Sequence, residues 1–304
     1  MHKTIVTGHR STLTLAACMY TTSTFNAGTY DEVITITSSL SHIKLLGAGL
    51  HRTIITGHRS TPTMDTTYTT PTVNESGSDF IAEGITFRNT VGPQHRAVAL
   101  LVQGDRSVFY RCSVEGYKDT LSPLQGILFF RECYIYGTAD FVFCNARAVF
   151  QNCILYARNP IAGEDVTLTA QGRVITDLRG GFVFQNCQIR ATPDLMRPST
   201  KVFLGRPWTD CSRVLFMQSR MESIIDPTGW REWGEGSNAS SSTCLYYGEY
   251  RNTRPGASTN RRVDWPGYHK ITRASEAILF TVQNFINGTT WLPGTNVPFK
   301  LSRS

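Results

Sequence analysis

Four segments of the chain repeat one pattern: VFYRCSVEG from Val108, LFFRECYIYG from Leu128, VFQNCILYA from Val149 and VFQNCQIRA from Val183. Each reads Phe-x-x-Cys-x-hydrophobic, and the cysteines, Cys112, Cys133, Cys153 and Cys187, follow one another at 21, 20 and 34 residues. Looser relatives flank them at 80–89 and 214–224. A unit this short cannot bury its apolar face alone, so it must stack on its neighbours. The units are β-branched and aromatic, with no amphipathic helix between them. That combination predicts an all-β solenoid, a parallel β-helix, in which equivalent residues of successive coils lie ~4.8 Å apart.

Composition limits the partners more than the fold. The 304 residues are 40% hydrophobic, enough for a sizeable core. Net charge is +7 and the sequence pI about 9.0, which favours a polyanionic partner. No Lys/Arg-rich run is present, so nucleic acid is not expected. No apolar run is long enough for a membrane span, and the apolar patch at Leu13–Tyr20 is short and broken by Thr, a poor secretory leader. Sequons at Asn74, Asn238 and Asn287 matter only if the chain is secreted. The cysteines include no C-x-x-C pair and the seven His are scattered, so neither a metal site nor a cofactor is expected.

The repeat gives meaning to two aspartates. In GYKDTL and GTADFVF, Asp119 and Asp140 each stand seven residues after the cysteine of their own unit, Cys112 and Cys133. Equal phase on successive coils would put their backbones about one strand spacing apart, ~5 Å. Two carboxylates that close do not both ionise freely, and such pairs divide the work of acid and nucleophile. Turn aspartates also serve simply to satisfy backbone groups. The spacing alone would suit a retaining glycosidase equally well.

GTYDE (28–32), AVAL (97–100), GYKDTL (116–121), GTADFVF (137–143), TAQGR (169–173), LGRPW (204–208) and WLPGT (291–295) occur in this order. Together they resemble the plant-type pectin methylesterases, carbohydrate esterases on a single-stranded right-handed parallel β-helix. The resemblance runs from about residue 26 to the C-terminus. It implies hydrolysis of C6 methyl esters of homogalacturonan to pectate and methanol, with Asp140 as nucleophile, Asp119 as acid and then base, and Arg206 paired with Asp140. It also implies that Trp208, Phe141, Trp230 and Trp233 line the sugar cleft, although large aromatics serve equally as packing. No G-x-S-x-G elbow supports a serine route.

Several positions depart from the family pattern. Arg96 and Lys118 stand where the family has the Gln pair of the oxyanion site, and Cys144 stands where it has Gly. A cation can stabilise an oxyanion or draw the proton from Asp119. The second reading is therefore a homologue that binds pectin or an inhibitor protein without efficient turnover. A lyase on the same fold would be expected to show a calcium-binding acidic cluster, and none is visible. The resemblance further implies a Cys153–Cys187 disulfide, a monomer, an extracellular location in the plant cell wall, and methyl-esterified pectin and a pectin methylesterase inhibitor protein as partners. Residues 26–304 are expected to form the β-helix domain. Residues 1–25 are expected to be an atypical segment in place of the usual cap, and KTIVTGHRST (3–12) nearly copies RTIITGHRST (52–61).

Overall fold

The computed structural model describes residues 20–61, 64, 66–174, 179–195, 200–234 and 241–301. The copied segment at 3–12 and the sequon at Asn238 lie outside the described residues. The chain winds as a right-handed parallel β-helix. Three sheets run along the coil axis, with ten, eight and six strands, and a two-stranded sheet, Val166–Thr167 with Val202–Phe203, stands beside them. The first strand, Thr21–Thr24, pairs in parallel with Ile43–Leu46.

The Phe-x-x-Cys units supply the first two sheets. Ser107–Tyr110, Ile127–Arg131, Arg147–Gln151 and Gly181–Gln185 are successive strands of the first, and Arg213–Met217 extends the run. Register alignment places Phe109, Phe130, Phe150, Phe184 and Phe216 in one inward column. Their rings stack at 4.8, 4.6, 4.6 and 4.6 Å between centroids, tilted by only 10–12°. The alternate residues, Val108, Phe129, Val149, Val183 and Leu215, point outward and are also buried. Short helical turns from Ala274 to Thr295 cover them with Ala277, Phe280, Val282, Phe285 and Leu292. A sheet covered on both faces needs continuous hydrophobic strands, which is what these segments are.

The second sheet alternates instead. In Tyr134–Gly137, Ile135 is buried in the core while Tyr134 and Tyr136 are half-exposed. Between the two sheets the chain turns sharply at the residue before each cysteine: Arg111, Glu132, Asn152 and Asn186 all take positive φ, between 50° and 58°. The cysteines sit just inside this corner, fully buried. Each thiol donates to a carbonyl of the coil before it: Cys133 to Phe109 at 3.2 Å, Cys153 to Phe130 at 3.5 Å, Cys187 to Phe150 at 3.3 Å. Ser219 continues the column, donating to Phe184 at 3.2 Å.

This ladder corrects the expected disulfide: Cys153 and Cys187 are free thiols. Equivalent residues on parallel coils send their Cα–Cβ bonds in the same direction, so the sulfurs run side by side rather than toward each other, and a disulfide needs converging Cβ vectors. The bond forms between Cys211 and Cys244, outside the repeat. Arg173 of TAQGR holds that bridge, donating to the carbonyls of Cys211 at 2.7 Å and Cys244 at 2.9 Å.

Candidate active site

The site grows from the corner that leads into the third sheet. There Leu121 pairs with Val142 across adjacent coils, and two residues before each strand begins stand Asp119 and Asp140. Both take the left-handed backbone, φ 64° and 53°. Asp tolerates this region better than most residues. The Asp119 amide donates to the Ala139 carbonyl at 3.1 Å, so the two residues are locked coil to coil. The equal phase expected from sequence is present, and both carboxylates line one cavity. Both are buried, at 7% and 4% exposure.

Arg206 grips Asp140 with both arms of its fork: Nε donates to Oδ1 at 2.8 Å and Nη2 to Oδ2 at 2.5 Å. Thr167 adds a third donor, its hydroxyl giving to Asp140 Oδ1 at 2.7 Å while accepting from the Asp140 amide at 2.8 Å. A carboxylate so bound is fixed in place and aimed. Arg206 is itself fixed, donating to the Trp233 carbonyl at 3.0 Å and lying 4.3 Å over the Trp233 ring. The LGRPW motif reads as packing: a Cβ on Gly205 would fall 2.0 Å from Thr169 Oγ1, so only glycine lets the Arg206 strand approach.

Asp119 has a different environment. Burial, with the neighbouring Asp140 charge second, pushes its carboxyl up to about 7, while Arg96, Lys118 and Arg206 pull the other way. One carboxylate is therefore clamped by a cation and the other keeps a proton near neutrality, the division of labour of an acid–nucleophile pair.

The cavity is about 380 Å³, with Trp208 and Trp233 on one wall and Phe143 and Ala170 on its floor. Trp208 and Trp233 stack at 6.3 Å, and Trp208 is 39% exposed. Phe141 and Trp230, expected in the cleft, are instead fully buried in the core. Phe141 packs so closely beneath Gly137 that a Cβ there would lie 2.1 Å from its own. Trp230 stacks on Tyr247 at 4.0 Å. Sequence reasoning missed Phe143 and Tyr68. Tyr68 is the lone aromatic of the threonine-rich stretch TPTMDTTYTT, between the strands Thr53–Gly57 and Val73–Glu75. A long polar connection carrying one aromatic was the available signal.

The two replacing cations part company. Arg96 lines the cavity, its Nε 3.8 Å from Asp119 Oδ2. Lys118 lines a second, smaller cavity of about 220 Å³ on the Arg206 side, where its ammonium lies 3.5 Å from Glu164. Lys118 is therefore not placed in the aromatic cleft, contrary to expectation. Cys144 takes φ 94°, a conformation that favours glycine, and its thiol sits 3.2 Å from Ser122 Oγ. Burial pushes that thiol up to about 12, so it stays protonated. Among the described residues no cluster of three or more His, Cys, Asp or Glu is placed to hold a metal ion.

A sequence model of the Pectinesterase family matches residues 19–289. "Pectinesterase 2" of Citrus sinensis is 49% identical over 276 residues, which are 90% of this chain and 53% of that protein. "Probable pectinesterase/pectinesterase inhibitor 36" of Arabidopsis thaliana is 48% identical over 276 residues, 90% of this chain and 53% of that protein. The chain thus spans about half the length of these relatives. Among solved structures, "Pectin methylesterase from Carrot" superposes with a TM-score of 0.91 at 41% identity, covering 95% of this chain and 90% of that one. A pectin methylesterase from Aspergillus niger gives a TM-score of 0.78 at 28% identity, covering 91% and 88%. From its motifs, its coil and its paired aspartates, the chain belongs to the pectinesterase family.

Proposed function

We propose that the chain hydrolyses C6 methyl esters of homogalacturonan, giving pectate and methanol. The observation that carries this is the asymmetry of the pair: Asp140 clamped by Arg206, Asp119 pushed up to about 7 one coil away. Asp140 attacks the ester carbonyl, and the tetrahedral adduct collapses as Asp119 gives its proton to the departing methoxyl oxygen. Methanol leaves and an acyl anhydride joins the C6 carbonyl to Asp140. Asp119, now a carboxylate, takes a proton from water; the hydroxide adds to the anhydride, and Asp140 departs ionised onto Arg206. Every atom is then accounted for, and both residues are reset. Trp208 and Trp233 stack the sugar.

The second reading, binding without turnover, rested on Arg96 and Lys118 stripping the proton from Asp119. Burial and Asp140 outweigh them, and Lys118 has Glu164 as a partner, so no observation favours that reading. The same proposal places the protein in the plant cell wall, in contact with pectin and with an inhibitor protein. Relatives from Arabidopsis thaliana carry "pectinesterase inhibitor" in their names, in support of that partner. No helix among the described residues is long and apolar enough to cross a membrane. The test is methanol release from methyl-esterified pectin by purified protein, with unsaturated products and new reducing ends followed in parallel. Methanol alone is expected; reducing ends or unsaturated products without methanol would overturn the proposal.

A further inference from the structure

The chemistry proposed above makes no use of the sequons at Asn74 and Asn287. Asn74 is the middle residue of the strand Val73–Glu75 in the third sheet. Val73 and Glu75 point inward and are buried, so strand alternation turns Asn74 outward. Its Oδ1 accepts from Gln103 Nε2 at 3.1 Å and from Ser76 Oγ at 3.5 Å. Ser76 thus both completes the sequon and meets its carboxamide. Among the described residues the Asn74 Nδ2 donates to no protein acceptor, and it is not a buried orphan, so it faces solvent.

Register ties this amide to the cleft. Asn74 pairs with Leu101 and Leu101 with Ser122, while the pairing of Leu121 with Val142 sets Ser122 beside Phe143 of the cavity floor. Asn74 therefore stands three rungs, ~14 Å, from Phe143 along one outward column. Leu101 and Ser122 between them are covered, and Asn74 is where the column next reaches solvent. The segment leading into its strand lines the cavity with Thr66, Thr67 and Tyr68. Asn287 is the contrasting acceptor. It is exposed, takes φ 51° just after the helix Val282–Phe285, and belongs to the turns that cover the first sheet, on another face.

We propose that Asn74 is an N-glycosylation site and that its glycan borders one end of the cleft, hindering long polymer chains more than short oligomers. The inference rests on the extracellular esterase reading. In the transfer, Asn74 Nδ2 attacks C1 of an oligosaccharide carried on a polyprenyl pyrophosphate. The C1–N bond forms, the C1–O bond to pyrophosphate breaks, the amide gives up one proton and the lipid pyrophosphate departs. The product is bulky and hydrated, and it excludes other polymers from the volume it sweeps. An oligomer held within the cavity stops short of it, whereas a chain running on past Thr66 and Tyr68 meets it.

The full chain is secreted from a eukaryotic cell behind a supplied leader, and its peptides are treated with peptide N-glycosidase in heavy-oxygen water. Mass spectrometry is expected to find the label at Asn74. Asn74→Gln and Ser76→Ala should each abolish it, and Asn287→Gln should leave it. Removing the glycan from the folded parent should raise kcat/KM on polymeric methyl-esterified pectin about threefold and leave a short methylated oligomer unchanged. Untreated Asn74→Gln and Ser76→Ala should match the trimmed parent, and Asn287→Gln should match the untrimmed one. An unlabelled Asn74 in secreted protein that releases methanol would overturn this inference alone, as would identical polymer kinetics with and without the glycan. A labelled Asn74 in protein that releases no methanol from either substrate would sink the esterase reading alone.

Discussion

At the corner between the first and second sheets, Arg111, Glu132, Asn152 and Asn186 turn the chain with φ of 50–58°; at the corner before the third sheet, Asp119 and Asp140 do so with 64° and 53°. The backbone device is the same and the outcome is opposite. Asn152 and Asn186 face solvent, and their neutral amides meet at 2.9 Å. The aspartates are buried, and like carboxylates cannot satisfy each other. One of them must take a cation and the other a proton. Stacking brings residues together at both corners, and burial alone turns the second into a chemical site.

The largest break in that comparison is Asp140→Asn. It should lower methanol release by about 10⁴-fold or more, since a reacting group is lost from a set that acts as a unit. It also removes a like charge from Asp119, whose titration, followed by carboxyl NMR, should move to lower pH. Residual activity near the parent level would mean that another group attacks.

Next in size is Phe150→Ala, which tests whether the ring column carries the scaffold rather than the site. Removing a fully buried Phe should cost about 3–5 kcal/mol in urea unfolding. Methanol release under folded conditions should survive, and loss of activity without loss of stability would contradict the division.

The effect of pH separates the corners further. Above about 7 the rate should fall about tenfold per pH unit as Asp119 loses the proton that methanol needs. Stability should follow the same direction. Asp119, at about 7, and Glu75, which burial pushes up to about 8, both bind a proton more tightly folded than unfolded. Their contribution is complete below the ordinary values of 3.8 and 4.5 and is lost as pH rises through 7 and 8. Thermal unfolding between pH 4.5 and 8 should show the decline, and Glu75→Gln should flatten part of it. A midpoint constant across that range would exclude both groups.

Two smaller changes sharpen the contrast. Asn152→Asp with Asn186→Asp writes a carboxylate pair onto the exposed corner, at an expected cost under about 1 kcal/mol. Their titration should stay near ordinary aspartate; a strong upward shift would show that stacking, rather than burial, sets the acid. Lys118→Gln, whose lysine is already paired with Glu164, should change kcat by less than about twofold. A large rise would mean that the ammonium reaches the cleft.

The fold was legible because an exposed turn, an inward Phe and an inward Cys recur at fixed offsets, and a parallel coil must superimpose them. Asp119, Asp140 and Arg206 were legible for the same reason, being set by phase and motif. Side-chain direction was not. The left-handed residue at 140 breaks the alternation, so that Phe141 and Val142 both face the core and Phe143, one further on, becomes the cleft floor. Counting by twos from a motif cannot anticipate that. The disulfide was missed because Cys211 and Cys244 lie outside any repeat, and only the fold brings their segments together.

The paired aspartates and the groups that hold them occupy successive rungs of the coil: Asp119, then Asp140, then Thr167, with Arg206 beyond. Their spacing is therefore inherited from the peptide hydrogen bond, at ~4.8 Å per rung. The backbone serves as a ruler whose graduations no side-chain repacking can change. Wear on the outer surface, or fraying of the terminal coils, leaves the interval between the two aspartates untouched. An extra coil spliced between Asp119 and Asp140 would double that interval in a single evolutionary step, whereas an insertion anywhere else along the axis would only lengthen the rod.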